Sequence, residues 1–162
     1  MQRAMKGFHQ DADGHWVAEL ACGHSQHVRH DPPLTLRPWV LTPEGRSERL
    51  GQELECPLCD HKVMPTGYSP YKRTASFTRE TVPPGLLQRH STKTGVWALL
   101  HVSRGALEFW EAEAGGESRQ LVSAGQNAVI RPEVEHRVIP LDDLEFSVEF
   151  WHAGGRPSDP PE

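Results

Sequence analysis

Alternation of apolar and polar residues is the strongest pattern in the chain, and it predicts β-strands. In LEFSVEFW the side chains of Leu144, Phe146 and Val148 alternate with polar ones, so this strand has one apolar face. Near the beginning of the chain, HWVAEL alternates in the same way. It follows a turn at Asp13-Gly14, which predicts a short hairpin.

Further strand-like runs fill the second half of the chain. Turn-forming segments such as SRG, AGGE and AGQ separate them, and this combination is typical of a β-sandwich or barrel. A short helix is predicted only near residues 44–50, where Gly51 ends it. The predicted strands are TASFT, GVWALLHV, ALEFWEAE, SRQLVS, NAVIRP, EHRVIPL and LEFSVEFW.

Composition changes near residue 65, which predicts two domains. All three cysteines and six of the ten histidines lie before this point, whereas most strand-like runs lie after it. The segment KVMPTGYSPY, at residues 62–71, has the composition of a turn or linker. We therefore expect a small Cys/His α+β domain at 1–65, a mainly β domain at 66–153 and a flexible tail at 154–162.

Charge and cysteine content narrow the possible functions. The net charge of -5 gives no basic surface for nucleic acid or an anionic membrane. No apolar run is long enough for a membrane helix or a secretory signal, so a cytoplasmic protein is expected. An odd number of cysteines in that compartment argues against disulfides.

The three cysteines and one histidine predict a zinc site. Cys56 and Cys59 form a C-P-x-C pair that can hold one tetrahedral zinc ion, and Cys22 with His24 supplies a C-x-H pair to complete it. Four protein ligands leave no open position, so the zinc is expected to be structural. His27 is the substitute for His24. The alternative is that the cysteines are free core thiols beside a polar turn.

The first 60 residues also resemble a small bacterial Cys/His-rich domain family of unknown function. The pieces that carry this resemblance are CGHSQHVRHDPP and CPLCD. The family has no known activity, so the resemblance supports only the domain boundary.

The second half resembles a cupin, which is a small jelly-roll barrel. His90 precedes a strand and the glycine turn at Gly105, as in the first cupin motif. Gly125, Pro132 and His136 follow the order of the second motif. The resemblance implies that His90 and His136 meet at the mouth of the barrel, and it implies a homodimer by analogy.

This chain departs from the cupin metal site. Only His90 remains of the usual H-x-H, and Ala98 replaces the expected glutamate. We predict that His90 and His136 form a second metal or ligand site for a divalent ion, with Glu149 as a further ligand. The alternative for Glu149 is a solvated strand face. His101 is interpreted as a partly buried strand histidine.

The segment from residue 71 to residue 151 is similar to the cupin-like domain of TehB-type tellurite-resistance proteins. The similarity rests on GLLQRHSTK, GVWALLHV, EHRV and LEFSVEF, and it implies a stress-linked role with a small ligand. TehB proteins also carry a methyltransferase domain. Because this chain has no G-x-G fingerprint and little additional length, we expect no methyltransferase domain and favour a binding protein over an enzyme.

Three functions therefore compete. The first is a stress-related cupin that binds a metal ion or a small ligand, including an oxyanion held by Arg131 or Arg137. The second is a metal-dependent cupin enzyme of the oxidoreductase class. The third is an adaptor whose zinc module binds a partner protein. The loss of the cupin glutamate argues against the metal-dependent enzyme, so the binding protein is the preferred function.

Overall fold

The computed structural model describes residues 1–141 and 143–154, and it divides into two compact units. The first unit runs from Met1 to Thr66, and the second begins at Gly67. The predicted tail at 154–162 lies, apart from Gly154, outside the described residues.

An antiparallel sheet of four strands forms the first unit, in the order β3-β2-β1-β4. Met5, Val17 and Leu20 bury their side chains on it. The predicted hairpin joins β1 and β2, and Gly14 has the positive φ of 79° that its turn requires. The strands are β1 (Gln2–Gln10), β2 (Trp16–Leu20), β3 (Ser25–His27) and β4 (Glu53–Glu55).

Short helices connect these strands. A 3-10 turn at Pro38–Leu41 is followed by α1 (Pro43–Ser47), and α2 (Pro57–Asp60) follows β4. The hydroxyl of Thr42 accepts a hydrogen bond from the Gly45 amide at 3.1 Å and so caps α1. The predicted helix is therefore present, but it ends before the expected residue 50.

Two antiparallel sheets form the second unit. One has the strand order β10-β7-β12-β5, with β6 also paired to β12, and the other has the order β11-β8-β9. One short helix, α3 (Pro84–Leu87), precedes β7. The strands are β5 (Tyr68–Arg73), β6 (Phe77–Thr78), β7 (Trp97–Arg104), β8 (Ala106–Glu113), β9 (Gly116–Ser123), β10 (Asn127–Ile130), β11 (His136–Pro140) and β12 (Glu145–Ala153).

Both sheets contribute to one apolar core in the second unit. Leu100 from β7, Phe109 from β8 and Phe146 from β12 are all almost fully buried in it. Phe146 and Val148 belong to this core, as the alternation in LEFSVEFW predicts. The prediction of a mainly β protein is therefore confirmed.

Strand β5 lies where the sequence predicted a linker. Tyr68–Arg73 pairs with β12 at the edge of its sheet, although it contains Pro70. Proline is tolerated at an edge because the amide that it lacks would face away from the sheet. The predicted strand TASFT is shorter than expected, since only Phe77 and Thr78 pair. None of the helices within 1–141 and 143–154 has the length and apolar character needed to cross a membrane.

Candidate metal centre and ligand cavity

Four potential metal ligands meet inside the first unit. Their ligand atoms all lie within 4.8 Å of one another, and all four side chains are buried. The sulfurs of Cys22 and Cys56 are each 3.4 Å from Nδ1 of His24, and the sulfur of Cys59 is 3.7 Å from it. The structure thus brings together the Cys3His set that the sequence suggested, with His24 as its nitrogen donor.

These distances fit a tetrahedral ion. With metal bonds typical of zinc, a tetrahedron places two sulfurs about 3.8 Å apart and a sulfur and a nitrogen about 3.6 Å apart. The sulfurs of Cys22 and Cys56 are 3.9 Å apart. A buried cluster of this kind could bind a metal ion without rearrangement of its backbone.

A tight turn between β2 and β3 positions Cys22 and His24. The Gly23 amide donates to the Leu20 carbonyl at 2.8 Å, and the Leu20 amide donates to the His24 carbonyl at 2.9 Å. Gly23 has a φ of 88°, which a side chain would disfavour. Glycine therefore allows two ligands only two residues apart to face the same point.

The other two ligands lie at the start of α2. Cys56 is the residue before this helix, and the Cys59 amide donates to its carbonyl at 3.1 Å. The Cys56 amide in turn donates to the Met1 carbonyl at 2.8 Å, beside β1. This turn holds both sulfurs on the same side of the chain.

One sulfur of the cluster, that of Cys59, is stabilised as a thiolate. The Cys22 thiol and the buried Arg3 guanidinium both donate to the sulfur of Cys59, and together they lower its pKa to about 5. The interaction with Cys59 and burial raise the pKa of Cys22. Three thiolates around a divalent ion would leave one net negative charge, which the Arg3 cation beside Cys59 balances.

His27, the suggested substitute for His24, lies elsewhere in the unit. Its Nε2 atom is 2.8 Å from the carboxylate of Asp11, and half of its side chain is exposed. Asp11 also accepts hydrogen bonds from the amides of Asp13 and His15, and the bond from His27 lowers the Asp11 pKa to about 2. His27 therefore contacts the turn of the β1–β2 hairpin through Asp11. Side chains alternate along a strand, so His24 and His27 point to opposite faces.

A second pair of histidines meets in the other unit. His90 and His136 exchange two backbone hydrogen bonds, of 3.1 and 2.8 Å, which form an isolated β-bridge. Their ring centroids are 4.2 Å apart with an interplanar angle of 60°. The structure thus joins two side chains that are distant in sequence, as the cupin resemblance implies.

Hydrogen bonds fix the tautomer of both rings. Nδ1 of His90 is 2.9 Å from the Gln88 carbonyl, and Nδ1 of His136 is 2.9 Å from the Val134 carbonyl. A carbonyl can only accept, so each Nδ1 carries the proton and each neutral ring keeps its lone pair at Nε2. Burial, together with the nearby His90, lowers the pKa of His136 to about 4.

Both histidines line a large cavity. Its volume is about 1290 Å³, and its walls come from β5, β6, β7, β11, β12 and the segment around α3. Leu100, Phe146 and Val148 form part of its apolar surface, whereas Thr92 and Lys93 lie on its polar side. The arrangement can hold an ion or a small molecule against two imidazole nitrogens.

Glu149 does not join this pair. It lies between Val148 and Phe150, both of which line the cavity, so strand alternation turns it to the opposite face of β12. There it accepts a hydrogen bond from Nε1 of Trp151 at 2.9 Å and lies 3.9 Å from Nε2 of His101. The suggested third ligand therefore has structural partners of its own.

Sequence reasoning missed a buried carboxylate that faces His136. Glu111 on β8 is the register partner of His136 on β11, and it forms a buried ion pair with Arg131 at 2.8 Å. No motif marks Glu111, because only the register of two strands places it there. Arg131 is thus already paired, and Arg137 lies over the ring of Trp110, so neither arginine is directed at a ligand in the cavity.

Comparison with known families divides the chain in the same way. The family described as a protein of unknown function, DUF3565, matches residues 6–63, and the TehB-like domain matches residues 72–148. The Cys3His cluster lies in the first match, and the histidine pair lies in the second. The chain thus combines a domain of unknown function with a TehB-like domain.

A similar protein aligns with more than half of the chain. The uncharacterized protein YeaR of Escherichia coli K12 is 33% identical over 98 residues, which are 56% of this chain and 82% of YeaR. A crystal structure of an Escherichia coli K12 protein aligns with a TM-score of 0.51 at 30% identity, over 56% of this chain and 95% of that one. The chain belongs to the family of YeaR.

The comparisons also correct one prediction. TehB of Haemophilus influenzae, named a probable S-adenosyl-L-methionine-dependent methyltransferase, is 31% identical over 50% of this chain and 30% of its own length. Its crystal structure aligns with a TM-score of 0.50 at 28% identity, over 54% of this chain and 32% of that chain. This similarity to a protein named as a methyltransferase contradicts the expectation of a non-enzyme without a methyltransferase domain, which rested on the missing glycine-rich fingerprint.

Proposed function

We propose that this protein is a tellurite-resistance-related, cupin-like protein that binds a metal ion or small ligand in its second unit and holds a structural zinc ion in its first. The observation that carries the proposal is the contrast between the two sites. One is a closed, buried set of four ligands, and the other is a pair of imidazoles open to a cavity.

Zinc is the ion best suited to the first site. Three thiolates and one imidazole in a tetrahedron are a common structural zinc set, whereas magnesium and calcium prefer oxygen ligands. The first unit is small, so a bound ion would add folding energy that its thin core lacks. Because the four ligands complete the tetrahedron, a role in holding the fold is proposed for this ion rather than a role in catalysis.

The histidine pair is proposed as the functional site. Two Nε2 lone pairs can bind a divalent ion while leaving coordination positions open for a ligand. Hydrogen bonds from Nδ1 to backbone carbonyls orient metal-binding histidines in many proteins, and both rings have such a bond here. With only two protein donors, we expect weak binding that is easily reversed.

A cobalt titration tests this proposal. Full-length protein that retains its zinc is titrated with Co²⁺, and binding is followed by calorimetry. We expect a weak second site that His90→Ala with His136→Ala abolishes and that His101→Ala leaves unchanged. His101 is the matched control, because its Nδ1 donates to the amide oxygen of Asn127 at 2.8 Å and it does not line the cavity. Unchanged cobalt binding in the double variant would contradict a metal role for the pair.

Methyl transfer is the second candidate function, and the similarity to TehB favours it. The matched part is only 30% of that protein, so its activity is a proposal for this chain. Calorimetry of the full-length protein with S-adenosylmethionine tests it, followed by transfer of a labelled methyl group to tellurite. Saturable binding and label transfer would support this candidate, and no binding at millimolar concentration would remove it.

A further inference from the structure

The cavity of the second unit is larger and more apolar than a site for a bare ion requires. Its volume of about 1290 Å³ exceeds the range of roughly 300–1,000 Å³ that is usual for ligand cavities. Aromatic and aliphatic side chains cover much of its wall. The principal apolar residues are Phe77, Leu86, Leu100, Phe146, Val148 and Phe150.

The histidine pair at one end of this cavity presents hydrogen-bond acceptors. Both imidazoles have used their Nδ1 proton on a backbone carbonyl, so in the neutral rings only Nε2 lone pairs remain. A ligand group that meets both rings must therefore donate a hydrogen bond. An anion such as phosphate or a carboxylate would find no donor at this pair.

The charged side chains around the cavity further limit which group of a ligand can donate this hydrogen bond. Two lysines, Lys72 and Lys93, and one carboxylate, Glu133, line it. The net charge of these side chains is therefore positive, which disfavours a ligand that carries an ammonium group. Removal of such a cation from water into an apolar cavity would cost additional free energy. A neutral hydroxyl group satisfies the imidazole acceptors without either penalty.

We propose that this cavity binds a neutral organic molecule with a flat apolar body and a hydroxyl group that donates to His90 and His136. The proposal rests on the proposed role of the histidine pair as a ligand site. The apolar body lies against Phe146, Val148 and Leu100, where its burial supplies the binding energy. The hydroxyl fixes its orientation, and the ligand belongs to the class of phenols and related aromatic alcohols.

Three probes of one shape test the proposal. Full-length protein with its zinc retained is titrated with 2-naphthol, naphthalene and 2-naphthoate, and binding is followed by ligand fluorescence. We expect 2-naphthol to bind about tenfold more tightly than naphthalene, in line with one additional hydrogen bond. The carboxylate should bind more weakly than 2-naphthol, because the histidine pair offers it no hydrogen-bond donor. Equal affinity for naphthol and naphthalene, tighter binding of naphthoate, or no binding of any probe would overturn the proposal.

A shape-matched variant locates the hydroxyl. His90→Phe with His136→Phe keeps two flat rings and removes both acceptor nitrogens. The preference for naphthol over naphthalene should fall from about tenfold to about equal, while naphthalene itself binds as before. If the double variant fails to fold, His90→Phe alone is the second test. It should fold, since His90 is only partly buried, and it should reduce the preference for naphthol. A preference that survives these changes would contradict the assignment.

The cobalt titration separates this inference from the function on which it rests. If Co²⁺ binds through the histidine pair but naphthol shows no preference, the ligand class proposed here is wrong and the metal site remains. If naphthol binds with the expected preference and Co²⁺ does not, the organic ligand remains and the metal is removed from the proposal. If neither binds, both proposals fail.

Discussion

The two histidine-containing sites differ in how completely the protein encloses them. His24 meets three sulfurs in a buried tetrahedron, whereas His90 and His136 meet each other beside a cavity. Enclosure by four ligands suits an ion that stabilises the fold, because nothing else can approach it. Two ligands and an open volume suit a molecule that enters and leaves. The predictions below use this difference, beginning with the largest effect.

Loss of the closed site should unfold the first unit. Replacement of Cys56 and Cys59 by serine removes two of four ligands from a unit with a small core, so the folding energy supplied by the ion is lost. Hydrogen exchange followed by mass spectrometry should show residues 1–66 unprotected and residues 67–153 still protected. Protection of both units in the double variant would mean that the thiols are ordinary core residues.

The choice between His24 and His27 should give the next largest effect. His24 contacts all three sulfurs, and His27 contacts Asp11 instead. In a chelator competition, His24→Ala should lower zinc affinity by more than the 10–100-fold typical of an outer partner. His27→Ala serves as the control and should leave the affinity within a factor of about three. A reversed ranking would make His27 the fourth ligand.

Stability of the second unit should depend on pH through His136. Its folded pKa of about 4 lies below the ordinary histidine value of 6.5, so the unfolded chain takes up a proton first as pH falls. The contribution of the neutral ring is therefore complete above about pH 6.5 and is lost as pH falls toward 4. Its size is on the order of 3 kcal/mol.

Urea unfolding of the wild type and of His136→Phe, each at pH 7 and pH 4.5, measures this contribution. The loss of stability between the two pH values should be smaller in the variant. Zinc release and the titration of carboxylates affect both proteins equally, so their contributions cancel when the two losses of stability are subtracted. An equal loss in the two proteins would show that His136 does not titrate as described.

The smallest effects on stability should come from the open site. His90→Ala should weaken cobalt binding and reduce the preference for naphthol over naphthalene. Because His90 is partly exposed, the melting temperature should change by only a degree or two. Glu149→Gln is the matched control, because Glu149 faces away from the cavity, and ligand binding should not change. A large loss of melting temperature in His90→Ala would indicate a structural role for the pair.

Local chemistry made the first site predictable from sequence. Cys22, Cys56 and Cys59 are all the cysteines of the chain, and glycine between Cys22 and His24 marks the turn that joins them. A strand alternates sides along its length, so the burial of Phe146 and Val148 could also be predicted. The same alternation places Glu149 outside the cavity.

Features that depend on long-range strand pairing could not be predicted from the sequence. Glu111 faces His136 only because β8 pairs with β11 in one particular register, which a single sequence does not specify. The sequence predicts a linker where β5 forms, because Gly67 and Pro70 are typical turn residues. Pairing with the exposed edge of β12 outweighed that local preference.

Zinc content in three purified proteins tests the central division between a closed metal site and an open ligand site most directly. We expect about one zinc per chain in the wild type, about one in His90→Ala with His136→Ala, and about none in Cys56→Ser with Cys59→Ser. Full zinc content in the cysteine variant, or loss of zinc in the histidine variant, would contradict the account.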